Sequence, residues 1–178
     1  KKGQWIMSKM LEIATKVTKA SSVNGQPTIW GLQALTDDPD ITQILVAFGT
    51  NWVKHENGRL VSNLEDPKVL EALEFCLEMN VVHKATQPRE WNAEWDFPIK
   101  EFMAGRTAML LQGEHCLDEL KKEMSDKFGV VPLPKGPGQK EYVSYGQSHL
   151  VRVMQAGLDK ELAKKNRCGV YSCIRANS

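Results

Sequence analysis

The sequence predicts an α/β fold, because helical and strand patterns alternate along the chain and the helical patterns carry recognisable start and stop residues. Apolar residues recur at helical spacing within 7–17, 41–48 and 69–77. Short apolar runs at 28–32 and 107–111 predict strands between and after these helices. Alternation of this kind within 178 residues indicates one α/β domain.

The predicted helix boundaries follow from Asp-Pro pairs and from glycine. Asp38 and Asp66 each precede a proline, which predicts an N-cap followed by a residue whose φ already suits a helix. Gly49 predicts a left-handed helix end. The predicted inner face of the helix after Asp66 consists of Val69, Ala72, Leu73, Cys76 and Leu77.

The remaining elements are predicted from turn residues. The pair 57–58 is Asn-Gly, flanked by the strand-like runs 52–55 and 60–62, and this predicts a hairpin with a two-residue turn. A short helix is expected from Asp96 until Gly105 stops it. A further strand is predicted at 128–133 and a final helix at 159–165. The tail at 166–178 has no pattern that predicts an element.

Charge and hydropathy exclude several classes of protein. The net charge is only +1 and the basic residues form no stripe, so nucleic acid is not an expected partner. No apolar run is long enough to span a bilayer. The first residues do not lead into an apolar core, so a targeting segment, if the protein is exported, is expected upstream.

Cysteine and histidine spacings predict no catalytic, metal or cofactor site. The sequence contains neither C-x-x-C nor H-E-x-x-H. Cys76 falls on a predicted apolar helix face, which indicates a buried, unreactive thiol. Whether Cys168 and Cys173 pair in an oxidising compartment is left open by their spacing. His115 and Cys116 are adjacent, an arrangement that suits no catalytic pair.

A resemblance to a known family covers about two-thirds of the chain. Residues 102–109 (FMAGRTAM) match the pattern F-x-x-G-[KR]-x-A-M, and 129–137 (GVVPLPKGP) follow at the expected distance. Residues 30–31 (WG), 57–58 (NG) and 66–75 (DPKVLEALEF) stand upstream in the matching order. This ordered set resembles the family 1 extracellular solute-binding proteins of bacterial ABC transporters, of the carbohydrate-binding type. Most of the matched residues are expected to be scaffold; for example, Phe102, Ala108 and Met109 should pack helix against strand around Gly105.

The resemblance implies a fold and a mode of action. The fold is one lobe of a two-lobe, type II periplasmic-binding-protein-like architecture, with a solute held between lobes that close on it. Residues 1–165 would form the second, C-terminal lobe, most of the first lobe being absent, while 166–178 remain a tail of uncertain structure. The implied partners are a small polar solute, chiefly a sugar or oligosaccharide, and the permease subunits of the transporter. The implied location is extracytoplasmic, with membrane association only through an upstream lipid anchor if one is present.

Candidate ligand contacts are aromatic or polar residues in predicted loops, because sugars offer both apolar faces and hydroxyl groups. Trp5 and Trp30 lie on buried patterns and are expected in the core. The loop after the 107–111 strand faces the cleft in the family, and His115 stands where a Trp is common, so hydrogen bonding by Glu114 and His115 is expected there instead of stacking. Helix capping by Glu114 is the alternative. The expected ligand-binding residues are Trp52, Trp91, Trp95, Gly113, Glu114, His115, Tyr145 and Gly146.

Two other classes of function stay open at this point. A ligand-sensing or adhesion module can use the same fold, since fold alone does not determine function. Such a sensor would carry a transmembrane helix and a signalling domain elsewhere in its sequence. A hydrolase is the third hypothesis, and loss of activity in Cys116→Ala would support it.

Overall fold

The computed structural model describes residues 5–33, 38–88 and 93–145. The chain divides into two compact units, Lys1–Tyr145 and Gly146–Ser178. All described residues belong to the first unit. The predicted helix at 159–165 and the tail at 166–178 lie outside them.

Three extended segments hydrogen-bond side by side in the parallel direction. Residues 30–33, called here the central segment, lie between two flanking segments, residues 85–87 and residues 106–111. The parallel pairs are Trp30 with Thr107, Leu32 with Thr86, and Gln33 with Leu110. The backbone bonds are Trp30 N to Arg106 O (2.9 Å), Ala108 N to Trp30 O (2.9 Å), Leu32 N to Ala85 O (3.1 Å), Gln87 N to Leu32 O (3.1 Å), Gln33 N to Met109 O (2.8 Å) and Leu111 N to Gln33 O (3.0 Å). The segments predicted as strands therefore pair with each other, but through isolated bridges and not as regular strands, and 85–87 adds a third segment that the sequence did not indicate.

Helix α1, Met7–Ala20, packs directly on the central segment. Its buried face includes Met7, Met10, Leu11 and Ala14, as its apolar spacing predicts. A Cβ atom placed on Gly31 would lie only 2.0 Å from the carbonyl oxygen of Ala14, so glycine alone permits this contact. Thr18 completes the buried face of α1 where Val17 was predicted, and Val17 is only half-buried.

The Thr18 hydroxyl joins α1 to the central segment. It accepts a hydrogen bond from the Gly31 N–H at 2.8 Å and donates one to the Ala14 carbonyl at 3.0 Å. Because Gly31 N–H has no strand partner of its own, this hydroxyl satisfies a buried backbone donor. A valine of the same shape would leave that donor unpaired.

Two antiparallel hairpins lie outside the parallel segments. Strands β1, Ser22–Val23, and β2, Gln26–Pro27, form the first, and β3, Val53–Glu56, pairs with β4, Arg59–Ser62, in the second. Asn57 and Gly58 have φ angles of 50° and 74°, the left-handed values that a two-residue hairpin turn requires. The hairpin predicted from Asn-Gly is confirmed.

Helices α2, Asp38–Ala47, and α3, Pro67–Leu77, pack against each other in the main core. The Asp66 carboxylate accepts a hydrogen bond from the Lys68 N–H at 2.8 Å, which confirms the predicted N-cap. Gly49 has φ +77° and follows α2, as predicted. The apolar interior of this core consists of Met7, Met10, Leu11, Ala14, Leu32, Ile44, Leu45, Ala47, Phe48, Val69, Ala72, Cys76, Met79, Ala85 and Leu133.

The prediction that Leu77 belongs to the inner face of α3 is wrong. Leu77 is 60% exposed, whereas Met79 in the following π-helical turn, Glu78–Val82, is buried. The buried positions Val69, Ala72, Cys76 and Met79 are spaced by three or four residues and form a narrow stripe. Leu77 lies about 100° around the helix from Cys76 and so points away from it.

A smaller apolar cluster lies between α4, Phe97–Met103, and α5, Leu117–Glu123. Its buried members are Ile99, Cys116 and Leu120, with Phe102 and Phe128 packed edge to face beside them at 6.5 Å between ring centroids. Gly105 ends α4 with φ +70°, as predicted.

Two predictions near this cluster are wrong. Ala108 is exposed, because the side chain that faces inward from this strand is its neighbour Thr107. Residues 128–133 form no strand in the described part of the chain, and Val130 and Val131 are 73% and 65% exposed. Pro132 and Pro134 lack the N–H groups that a ladder requires, so this apolar run cannot pair continuously.

The chain rejoins the main core at Lys135. Its carbonyl accepts a hydrogen bond from Met7 N at 3.0 Å, and its own N–H donates to the Trp5 carbonyl at 3.2 Å. The Trp5 indole N–H donates to the Pro132 carbonyl at 2.8 Å. Half-buried Trp5 therefore ties the 128–135 stretch to the start of α1.

The contact between α1 and the central segment can be tested at Gly31. Gly31→Ala should lower the free energy of unfolding by about 3 kcal/mol or more, since the new methyl group would overlap the Ala14 backbone of α1, which cannot move aside without shifting the helix. Gly129→Ala is the matched control, because a Cβ there meets nothing within 4 Å, and it should stay within about 1 kcal/mol of the wild type. Urea denaturation followed by circular dichroism measures both. Equal stability of the two variants would contradict the packing.

Candidate functional site

The polarity of the parallel segments defines one edge of the sheet. All three segments run in the same direction, so their carboxyl ends meet at a common edge, called here the carboxyl edge. In open α/β sheets ligands bind outside this edge. The flanking segment 106–111 continues directly into the turn at 112–116. The residues after 33 and after 88 lie outside the described part of the chain, and Trp91 is among them.

The turn at the carboxyl edge is anchored by a buried cysteine. Gly113 is extended and precedes a 3-10 turn, Glu114–Cys116. The Cys116 thiol donates to the Gly113 carbonyl at 3.1 Å, and the Gly113 N–H donates to Oε1 of Gln112 at 3.0 Å. A Cβ on Gly113 would lie 2.7 Å from Nδ1 of His115. The imidazole of His115 therefore lies against Gly113, so close that a larger residue at this position would displace the ring.

Trp95 and His115 form an exposed aromatic pair beside this turn. Their ring centroids are 6.5 Å apart and the ring planes are inclined by 41°. Trp95 is 69% exposed and His115 is also exposed. The pair presents an apolar ring face next to imidazole nitrogen atoms, the combination that a sugar ring with hydroxyl groups can contact.

Glu114 does not cap the helix that it precedes. The N-cap position of the 3-10 turn is Gly113, and no side chain makes a capping hydrogen bond there. The Glu114 carboxylate is exposed. It is therefore free to accept hydrogen bonds from another molecule.

The other predicted contacts lie apart from this pair. Trp52 is half-buried against the main core, and its indole N–H donates to the Thr42 hydroxyl at 2.8 Å. Tyr145 is exposed at the end of the described chain, where no ring contact joins it to Trp95 within the described ranges. Gly146 lies outside the described residues. Of the predicted contacts, the structure brings together Trp95, Gly113, Glu114 and His115.

A buried carboxylate links the two flanking segments across the central one. Glu101 of α4 accepts hydrogen bonds from Nε2 of Gln87 at 2.6 Å and from Nε of Arg106 at 2.7 Å, and a second Arg106 nitrogen completes a bidentate pair. The Arg106 guanidinium holds the pKa of Glu101 below its usual value of 4.5. Sequence reasoning missed this network. Its only signal was the basic residue at position 106 of the FMAGRTAM motif.

The described thiols are unsuited to nucleophilic chemistry. Burial raises the pKa of Cys76 to about 11 and also raises the pKa of Cys116. A thiol with a raised pKa is protonated at neutral pH and so is a poor nucleophile. In the ranges that the structure covers, no three His, Cys, Asp or Glu side chains are grouped as metal ligands, and no helix there has the length and apolarity to cross a bilayer.

The different surroundings of Trp52 and Trp95 can be tested by stability. Trp52→Ala should lower the free energy of unfolding by about 2 kcal/mol, less than for a fully buried Trp, because it removes half-buried ring contacts and the Thr42 hydrogen bond. Trp95→Ala should change it by no more than about 0.5 kcal/mol. Thermal and urea denaturation of both variants provide the measurement. A larger loss for Trp95→Ala than for Trp52→Ala would contradict the exposed position of Trp95.

Comparison with solved structures identifies the fold. No protein-family model matches the chain. The maltose/maltodextrin-binding domain MalE from Bdellovibrio bacteriovorus, bound to maltotriose, matches with a TM-score of 0.64 and 19% identity, over 80% of this chain and 36% of that one. M. tuberculosis UspC matches with a TM-score of 0.60 and 19% identity, over 75% of this chain and 35% of that one.

A third match is maltose-bound MalE3 of T. maritima, with a TM-score of 0.57 and 21% identity, over 76% of this chain and 34% of that one. The chain thus spans about a third of the length of the solved structures that it matches. Two of the three are described as maltose-binding proteins. The α/β fold of this chain is that of one part of the MalE-like periplasmic binding proteins.

Proposed function

We propose that this chain forms one lobe of the solute-binding receptor of an ABC importer, and that the receptor binds a sugar or oligosaccharide. The observation that carries this proposal is the position of the Trp95–His115 pair at the carboxyl edge of a MalE-like fold. Two similar folds hold maltotriose and maltose, and this supports a carbohydrate as the solute.

The chemistry of the exposed residues suits a carbohydrate. The face of Trp95 contacts the C–H groups of a sugar ring, while Glu114 and His115 hydrogen-bond its hydroxyl groups. Gly113 allows the imidazole of His115 to lie close against the turn. Trp91, Tyr145 and Gly146 remain predicted contacts. Trp52 is the weakest of the predicted set, because the core already uses its ring and its N–H.

Binding requires no covalent step. The solute enters a cleft between this lobe and a second one, and closure of the lobes expels water and pairs the solute's hydroxyl groups from both sides. The closed receptor then delivers the solute to the permease subunits. The receptor works outside the cytoplasmic membrane, where an upstream lipid anchor holds it.

The proposal is tested by a saccharide screen of the protein that carries this chain. Glucose, galactose, maltose, trehalose and maltotriose are compared with glutamate and a tripeptide by thermal shift and calorimetric titration. A specific saccharide at a hundredfold excess over its Kd should stabilise the protein by about 2.7 kcal/mol. Trp95→Ala should weaken that binding at least about tenfold, as expected for loss of an aromatic anchor, without loss of stability.

Lys54→Ala is the control, since Lys54 is an exposed residue of β3 and belongs to none of the predicted ligand contacts, and it should bind like the wild type. Stabilisation by glutamate or the peptide alone would overturn the choice of a carbohydrate. Stabilisation by no compound of the panel would contradict the proposed receptor function.

A further inference from the structure

Gln33 has a buried side-chain amide with no hydrogen-bond partner among the described residues. It is the last described residue of the central segment and its side chain is fully buried. Within the described ranges neither its Nε2 nor its Oε1 has a hydrogen-bond partner, although its backbone is paired with Met109 and Leu111. Buried side-chain amides are almost always hydrogen-bonded, so an unpaired one calls for a specific explanation.

A second unpaired acceptor lies on the neighbouring segment. The Gln87 N–H donates to the carbonyl of Leu32, so Gln87 and Gln33 stand side by side at the carboxyl edge. Nε2 of Gln87 donates to Glu101, while Oε1 is buried without a partner. Because a carboxylate only accepts, the bond to Glu101 fixes the orientation of the Gln87 amide and leaves its oxygen as the free acceptor.

The unpaired atoms match the chemistry of a hydroxyl group. The Gln33 amide offers a donor and an acceptor, and Gln87 offers an acceptor. A hydroxyl group both donates and accepts, so adjacent hydroxyl groups of one solute can satisfy all three atoms together. A carboxylate solute would leave both acceptors unpaired, and an ammonium group would leave the donor unpaired.

We propose that the Gln33 amide is a specificity-determining contact for the hydroxyl groups of the solute, with Oε1 of Gln87 as its neighbour in the same site. The inference rests on the proposed function and extends it to two residues that no sequence motif indicated. The amide is shielded from solvent in this structure, so contact requires the Gln33 side chain to rotate toward the carboxyl edge. A buried amide that has no partner in the protein destabilises the fold. The same amide allows the protein to discriminate between solutes that can hydrogen-bond to it and solutes that cannot.

This trade-off gives a test that separates a binding role from a structural one. Gln33→Leu replaces the unpaired amide with an apolar side chain of similar size, so the melting temperature should stay the same or rise. Affinity for the tightest-binding member of the saccharide panel should fall at least about tenfold. Gln33→Asn keeps the amide on a side chain that is one methylene shorter, so it should also bind the saccharide more weakly. It provides a second variant if Gln33→Leu folds poorly.

Thr107→Val is the matched control. Thr107 is buried in the same sheet and its hydroxyl is also unpaired, but it pairs with Trp30 at the opposite end of the central segment. This variant should keep both its melting temperature and its saccharide affinity. Calorimetric titration with glucose, galactose, maltose, trehalose and maltotriose measures all four proteins.

Wild-type saccharide affinity in Gln33→Leu would overturn this inference and leave the proposed function intact. An equal loss of affinity in Gln33→Leu and Thr107→Val would also overturn it, because the effect would then come from the scaffold. A wild-type protein that binds none of the five saccharides would overturn the proposed function, and this inference with it.

Discussion

The parallel pairing of the central segment, residues 30–33, is the constraint on which the rest of the structure depends. A flanking segment is hydrogen-bonded to each side of the central segment. Helix α1 packs so closely on the central segment that only glycine fits at position 31. The Thr18 hydroxyl satisfies the one central N–H that this arrangement leaves without a strand partner. Because the three segments share one direction, their carboxyl ends lie at the same edge, where the 106–111 segment continues into the turn at 112–116. The candidate site is therefore a consequence of strand polarity as much as of the residues in it.

A hydrogen-bonded network around the buried Glu101 carboxylate joins the two flanking segments, although its ionic partner Arg106 is half exposed. Glu101 reaches Gln87 on one side and Arg106 on the other, and each of its hydrogen bonds favours the charged carboxylate. Such a pair adds little net stability because solvent screens the half-exposed Arg106, but its two parallel hydrogen bonds fix how the two side chains meet. It also orients the Gln87 amide. The basic residue of the FMAGRTAM motif therefore binds the same carboxylate that holds the Gln87 amide.

Local signals in the sequence were sufficient for most elements. Asp66 caps α3, Asn57 and Gly58 form the β3–β4 turn, and Gly105 ends α4, because each depends only on its own backbone geometry. Features set by distant partners were not predictable in this way. The apolar residues at 128–133 predict a strand. Prolines interrupt this run and no described segment pairs with it, so Val130 and Val131 are exposed.

The site shows the same division between local and long-range information. The turn at 113–115 was predicted from its glycine and from the resemblance to the binding-protein family. The contact of His115 with Trp95 joins residues twenty positions apart in sequence, and no periodic pattern encodes it. Gln33 and Glu101 were missed for a related reason: each appears as an ordinary polar residue until the fold buries it. The fold was thus largely predictable, whereas the polar contacts within it were not.

Amide hydrogen exchange followed by NMR tests the parallel pairing most directly. The backbone N–H groups of Leu32, Gln33 and Leu111 are hydrogen-bonded within the sheet, so they should exchange only through opening of the core. The N–H groups of Val130 and Val131 have no strand partner in the described chain and should exchange rapidly. Strong protection of the first set and none of the second is the expected result. Rapid exchange at Leu32, Gln33 and Leu111 under native conditions would contradict the account.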